Sequence, residues 1–560
     1  MYGRVAAITG LFSSCLIACS GGEVDLASSG ASAAGSGGTV GVAGSGGSGG
    51  TGGTAAGKGG AAGTSGAAGS GGVAGSGGFA GNGGVAGTGG GGGEAGGGGA
   101  GGSTAVPDVT GVMKMIHVTP SGETVGPYDL TKATIEAYAD VGGTFQLLKG
   151  AGTAEGAFTV PGVPAGTFYL HVAVGMFDDI YVGSTRTLDL SVRVAGRATA
   201  PIGGNGTSLA LDFTGVDPWA KGDQLELLSA NAGLWIGDLG TASSPLPAAG
   251  ATSFMAKRGT GGWPLVDTAM GDDLLLTQLT TRTQGAVTYQ AIAKKLPLTA
   301  TFADKMATTL TGALVDVPQD KTLSVTWKHD AWAALLADAG PKAKLIDAGL
   351  AIDLVPGPQT LLPDQILGFS DLLTYDGAPT SGDQVLALPY GDPFDPSWTR
   401  FFGPFVLVRT DILLPGAKTA LPVSIGMDWR RALADVPSEI VPLISPPKSP
   451  MVNGIDAFQD QKGLGSSLTI TWSAPTIGKA ESYDVTLVQL GIAGGATKPQ
   501  AVTLFHTAGT SLTIPPQLLK AGKTYGIQLG SNGWAFDPAA PRKISLPRAG
   551  AACILGLFSP

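Results

Sequence analysis

Four histidines, His117, His171, His329 and His506, are the side chains best suited to acid–base or metal chemistry, because imidazole titrates near neutral pH without help. Each sits in or beside a strand-like run, and none has a His or Cys partner at metal-ligand spacing. Structural roles are therefore expected for all four. His329-Asp330 could pair a base with an orienting carboxylate, but adjacent residues rarely present both groups to one point. A strand-to-helix junction with Asp330 as the cap is favoured. Carboxylate pairs occur at Asp178-Asp179 and Asp272-Asp273, and Asp392 and Asp395 flank Pro393-Phe394. Oxygen-rich loops can hold Ca²⁺, which takes six to eight oxygens. Each cluster supplies too few, so solvated turns and no metal are expected.

The loop from Tyr390 to Phe402 is rich in rings. Exposed, Tyr390, Phe394 and Trp398 would form a ligand platform able to stack sugars or peptides; packed between sandwich strands, the commoner use, they would be core. Gly46-Gly47-Ser48-Gly49-Gly50 formally matches a nucleophile elbow, but no strand precedes it and no helix follows. Gly522-Lys523-Thr524 matches the end of a phosphate-binding loop, yet Gln517 stands where that motif needs Gly. No catalytic residue and no cofactor are assigned.

The elements that would position such groups begin after an N-terminal signal. Arg4 precedes an apolar run from Val5 to Ile17, too short to span a bilayer, and small residues follow. Leu16-Ile17-Ala18-Cys19 resembles the lipobox of bacterial lipoproteins. The resemblance implies cleavage between Ala18 and Cys19, a diacylglycerol thioether on Cys19 and a membrane as partner. Ser20 after the cysteine implies the outer membrane or cell surface. Cys15 would leave with the signal and Cys19 would be blocked, so Cys553 would stand alone and no intrachain disulfide is expected.

The chain has 560 residues, a net charge of −9 and 13% charged residues, with no basic run interleaved with aromatics. Nucleic acid is excluded as an expected partner. From Ser20 to about Thr104 the sequence is almost wholly Gly, Ala, Ser and Thr. Such chain offers nothing to bury, so 19–105 is expected to be a disordered tether spanning about 50 Å.

After it, the expectation is a mainly β chain of tandem β-sandwiches, with a β-rich middle, sandwich or propeller-like, and a few short helices. Phe158 with Val160 and Phe168 with Leu170 alternate about Pro161-Gly162, which reads as a hairpin. Residues 156–170 resemble the closing hairpin of carboxypeptidase-regulatory-like, or prealbumin-like, sandwiches, which implies such a module over 106–200. In 201–446 strand-like runs dominate. Trp332, Leu335, Leu336 and Ala339, and again Trp429, Ala432, Leu433 and Val436, fall at helical spacing. Residues 447–547 alternate at Leu468, Ile470 and Trp472 and at Tyr483, Val485 and Leu487. This pattern resembles a fibronectin type III domain, which implies a core role for Trp472 and a tyrosine corner at Leu519 and Tyr525. Ala521 and Lys523 depart from that family's usual corner. Residues 548–560 read as a C-terminal tail.

Three functions are compatible with these residues. The leading one is a non-enzymatic, lipid-anchored envelope protein that displays β-sandwiches for adhesion, scaffolding or partner binding. The others are an envelope hydrolase acting on glycan or protein, with 201–446 as its catalytic domain, and a carbohydrate-binding protein.

Overall fold

The computed structural model describes residues 106–560 except 176, 238, 240–245, 359–369 and 378–380. Ala18, Cys19 and the segment 19–105 lie outside the described residues. The described chain is mainly β, as expected, with short helical turns only.

Four sandwiches follow one another. The first holds β1 (Val109–Val112), β2 (Thr134–Val141), β3 (Thr144–Lys149), β4 (Ala157–Val160), β5 (Phe168–Val174), β6 (Phe177–Gly183) and β7 (Thr187–Asp189). The second holds β8 (Ser208–Thr214), β9 (Gln224–Ser229), β10 (Leu234–Ile236), β11 (Ser253–Gly259), β12 (Leu274–Gln284), β13 (Val287–Leu298) and β14 (Ala307–Ala313). The third holds β15 (Lys321–Lys328), β16 (Lys344–Val355), β17 (Asp371–Gly377), β18 (Asp383–Tyr390), β19 (Thr399–Ile412), β20 (Leu421–Ala432) and β21 (Glu439–Ile440). The fourth holds β22 (Lys448–Val452), β23 (Leu468–Ser473), β24 (Ser482–Ala493), β25 (Ala496–Thr507), β26 (Ser511–Ile514), β27 (Thr524–Asn532) and β28 (Arg548–Ile554).

One plan recurs. Each sandwich has a four-strand sheet, ordered β3-β2-β5-β6, β10-β9-β12-β13, β17-β16-β19-β20 and β25-β24-β27-β28. Facing it, β1, β8 and β15 each lie between an antiparallel neighbour (β4, β11, β18) and a parallel one (β7, β14, β21). The fourth differs: β23 lies between β26 and β22, both antiparallel.

The four-strand sheets are not separate. β13 pairs with β17, β20 with β28, and β25, in parallel, with β6. The result is one sheet running β10-β9-β12-β13-β17-β16-β19-β20-β28-β27-β24-β25-β6-β5-β2-β3, part of a 19-stranded sheet that also includes three short strands. Its midpoint is the β20–β28 contact, and the order of sandwiches along it is second, third, fourth, first.

Alternation decides what each strand buries. Ile135, Ala137, Phe158 and Leu170 fill the first core, and Leu209, Leu211, Leu225 and Leu227 the second. Trp327, Leu350, Ile352, Phe402 and Trp429 fill the third, and Leu468, Ile470, Val485 and Ile527 the fourth. Each buried Leu, Ile or Phe among them contributes about 1.5–3 kcal/mol. Two cores recruit a neighbour. Tyr138, Tyr169 and Ile180 turn from the first sandwich into the fourth core, and Leu279, Tyr289 and Ala291 from the second into the third. Where the first sandwich meets the second, Arg197 grips Asp272 (Nε–Oδ1 3.0 Å, Nη2–Oδ2 2.6 Å). A Cβ on Gly196 would lie 2.5 Å from Cα of Gly233, and both have positive φ, so only glycine fits.

Several expectations are corrected. Strands 157–160 and 168–174 alternate as read, but β4 pairs with β1 while β5 pairs with β2 and β6. The turn between them crosses from one sheet to the other instead of closing a hairpin, because alternation reports the buried face and not the partner. Residues 201–446, expected to be sandwich or propeller-like, form two sandwiches. Residues 428–432 are strand, followed by a single 3-10 turn at Leu433–Asp435, so the second helix is absent. The first is two short pieces, His329–Ala333 and Leu336–Ala339, stopped at Gly340. Asp330 does not cap its own helix; it accepts a hydrogen bond from Gly382 N–H at 3.0 Å. Residues 548–554 are no tail. Buried throughout, β28 completes the fourth sandwich and joins it to the third. Ala-Gly-Ala-Ala carries no alternation because both faces are covered.

Candidate functional site

A row of ionisable groups runs along one face of the continuous sheet. On β20, Val423, Ile425, Met427 and Trp429 enter the third core, so Asp428 and Arg430 turn to the opposite face. Across the midpoint Arg430 stands opposite Arg548 of β28, and Asp428 opposite Gly550. Asp428 Oδ2 accepts from Arg548 Nη2 at 3.0 Å. Burial lowers the Arg548 guanidinium to about 10, with Asp428 opposing that and Arg430 adding to it. Gly403 of β19 makes room: a Cβ there would lie 3.2 Å from Cγ of Arg430.

In one direction the row continues through Asn532 of β27, which donates to Asp484 Oδ2 of β24 at 2.9 Å. Asp484 Oδ1 lies 2.7 Å from His506 Nδ1 on β25, and Nε2 of that ring lies 3.6 Å from Asp179 Oδ1 on β6. The imidazole stacks on Tyr181 at 5.2 Å and 16°. Arg542 closes this end, pairing with Asp179 and donating to Tyr181 Oη at 2.7 Å.

In the other direction Arg430 Nη2 is 4.0 Å from Asp353 Oδ2 of β16. Asp353 is the register partner of Asp371 on β17, beside a β-bulge. Burial, then the charge of Asp353 and a hydrogen bond to it, then Glu226 of β9, raise the Asp371 carboxyl well above the ordinary range; Arg430 offsets part of this. A carboxyl raised in this way favours its protonated form, and a neutral acid beside a second carboxyl is the kind of arrangement that can exchange a proton. Here Asp353 and Asp371 are only 9% and 6% exposed, and Glu226 is fully buried.

Of the sequence-based candidates, His506 and Asp179 lie in this row, and the others fall elsewhere. His329 stacks on Trp327 and meets Gln384 Oε1 at 3.0 Å, away from the partner of Asp330. His117 lies partly buried on the strand Lys114–Thr119, and burial lowers its pKa. His171 lies between Asp178 (2.8 Å) and Glu136 (3.2 Å). The pair Asp178-Asp179 is thereby split, Asp179 turning to Arg542. Asp272 is taken by Arg197, Asn231 and the Asp267 N–H. Asp392 is taken by Arg400 and Lys321, and Asp395 accepts from Ser397 N–H. Among the described residues no group of three His, Cys, Asp or Glu is placed to hold a metal ion.

The aromatic loop is corrected as well. Tyr390 and Phe394 are 5% and 7% exposed and belong to the third core, and half-buried Trp398 stacks on Phe394 at 5.4 Å. Packing between sheets leaves Tyr390 and Phe394 no free face for a ligand. Between the third and fourth sandwiches, Lys342, Asp411, Phe458 and Asp460 line a pocket of about 70 Å³, far below the usual size of a small-molecule site.

The charged row itself was not singled out from sequence. Its signal was present, in charged residues set inside apolar strands: Leu350-Ala351-Ile352-Asp353-Leu354-Val355 and Met427-Asp428-Trp429-Arg430. No family model matches the chain, and no curated protein matches it.

Proposed function

We propose that this chain is a lipid-anchored protein of the cell envelope, at the outer membrane or surface, that presents a fused β-sandwich body for adhesion, scaffolding or partner binding and not for catalysis. The observation that carries this reading is the single sheet running through all four sandwiches. Modules linked by flexible chain turn independently; strand pairing and shared cores instead hold their surfaces in fixed relation, as a display body requires.

Supporting it at the N-terminus are the lipobox-like Leu16-Ile17-Ala18-Cys19 and the Gly-rich composition of 19–105, which this reading takes as a tether. One acyl chain anchors only reversibly, whereas a multiply acylated cysteine carries enough CH₂ groups for stable attachment. The fibronectin type III reading of the fourth sandwich, extended to Ile554, is supported by buried Trp472 edge-on to Tyr483 and by Tyr525 Oη accepting from Lys520 N–H at 2.7 Å. For the first sandwich the carboxypeptidase-regulatory-like reading keeps only the sandwich architecture, because the 156–170 turn crosses between sheets.

Metabolic palmitate labelling and membrane fractionation test the anchor. The native chain is expected to be labelled and membrane-bound, and Cys19→Ala to be unlabelled and released. A Cys19→Ala chain that stays labelled and sedimented overturns the reading.

A further inference from the structure

The first sandwich reaches the fourth through a short parallel pairing, Asp179–Val182 of β6 on Leu504–Thr507 of β25. At its centre is His506, whose two ring nitrogens both face carboxylates, Asp484 at 2.7 Å and Asp179 at 3.6 Å. We propose that His506 is a protonation-dependent latch that holds the first sandwich against the fourth.

The charge balance supports this. From β6 come Asp179 and Tyr181, from β24 Asp484, from the segment after β27 Arg542, and from β27 the neutral Asn532. The side chains of Asp179 and Asp484 are 7% exposed, that of Arg542 12% and that of His506 21%. With imidazolium present, two carboxylates meet two cations. With neutral imidazole, one buried negative charge is left over, and a nitrogen lone pair faces a carboxylate instead of a proton. The stacked Tyr181 ring fixes the imidazole plane, so His506 cannot turn from either acid without breaking the stack.

Burial alone would lower the pKa of His506. Asp484 and Asp179 outweigh it and hold the ring at about 9. This folded-state value lies above the unfolded value of about 6.5. The stabilisation is therefore fully present below pH 6.5, declines above it and is gone above pH 9. The apolar contacts of Tyr138, Tyr169 and Ile180 with the fourth core remain, so deprotonation weakens the junction without dissolving it. The first sandwich keeps its other attachment, Arg197 on Asp272 at the second.

Amide hydrogen exchange on the full chain, corrected for intrinsic rate, tests the latch between pH 6 and 10. Protection of 177–183 and 496–507, relative to β12 and β13, is expected to fall about tenfold or more as pH rises from about 6.5 to about 9, and to stay low above it. In His506→Gln, which bonds but carries no charge, it is expected to be low at pH 6 and flat. Constant relative protection in the native chain, or a glutamine variant that keeps the pH dependence, overturns the proposal. Should His506→Gln fail to fold, NMR titration of the native imidazole decides: a ring already neutral at pH 7 overturns it, and a ring still charged at pH 8 supports it.

Discussion

The two ends of the charged row lie on one face of one sheet, are buried alike, and answer the same problem in opposite ways. At the third sandwich Asp371 lies beside Asp353, feels the charge of Glu226 and is offset only in part by Arg430, which raises its carboxyl well above the ordinary range and favours its protonated form. At the junction of the fourth and first, Asp179 and Asp484 face Arg542, and the excess is relieved by keeping a proton on His506. One proton makes an acid neutral; the other makes a base cationic. A buried charged row thus has no single pH optimum, because each end sets its own.

Substitutions should separate the ends. The largest expected effect is at the histidine end: Asp179→Ala leaves Arg542 and His506 without their shared anion and should cost about 3–5 kcal/mol, read as a lowered denaturant midpoint. His506→Gln should cost about 1.5–3 kcal/mol at pH 6, as charge-assisted hydrogen bonds are replaced by neutral ones, and little at pH 10. Thermal midpoints at the two pH values check this difference.

Asp371→Asn should act in the reverse sense. A carboxyl with a raised folded-state pKa contributes its stability below the unfolded value of about 3.9 and loses it as pH rises toward the folded value. An amide copies the protonated form and cannot ionise. The variant should gain on the order of 1 kcal/mol at pH 8 and nothing at pH 3, again by thermal midpoint. A loss at pH 8 would show that the proton on Asp371 is not what balances this end. As a baseline, Lys479→Ala breaks an exposed pair with Glu481 and should leave the midpoint unchanged.

The strands of the first and fourth sandwiches were legible because alternation at Phe158 and Val160, or at Leu468, Ile470 and Trp472, states which face is buried. It does not state which strand lies alongside, so the crossing between β4 and β5 read as a hairpin. Legibility failed where a strand is covered on both faces. Met427-Asp428-Trp429-Arg430 then looks helical, and Ala549-Gly550-Ala551-Ala552 looks like a tail. The charged row falls in this same region, where register alone decides that Arg430 meets Arg548 and that Asp353 meets Asp371.

The position of β28 has a consequence for the order of assembly. Synthesis runs from the N-terminus, and this strand is later in sequence than the fifteen other main strands of the sheet it completes. Until residues 548–554 are made, β20 and β27 both present open edges, the kind of surface that captures stray strands. Completion of the sheet thus depends on residues 548–554 lying between two edges that would otherwise be open. The small side chains of Ala549, Gly550, Ala551 and Ala552 suit a strand closely covered on both faces.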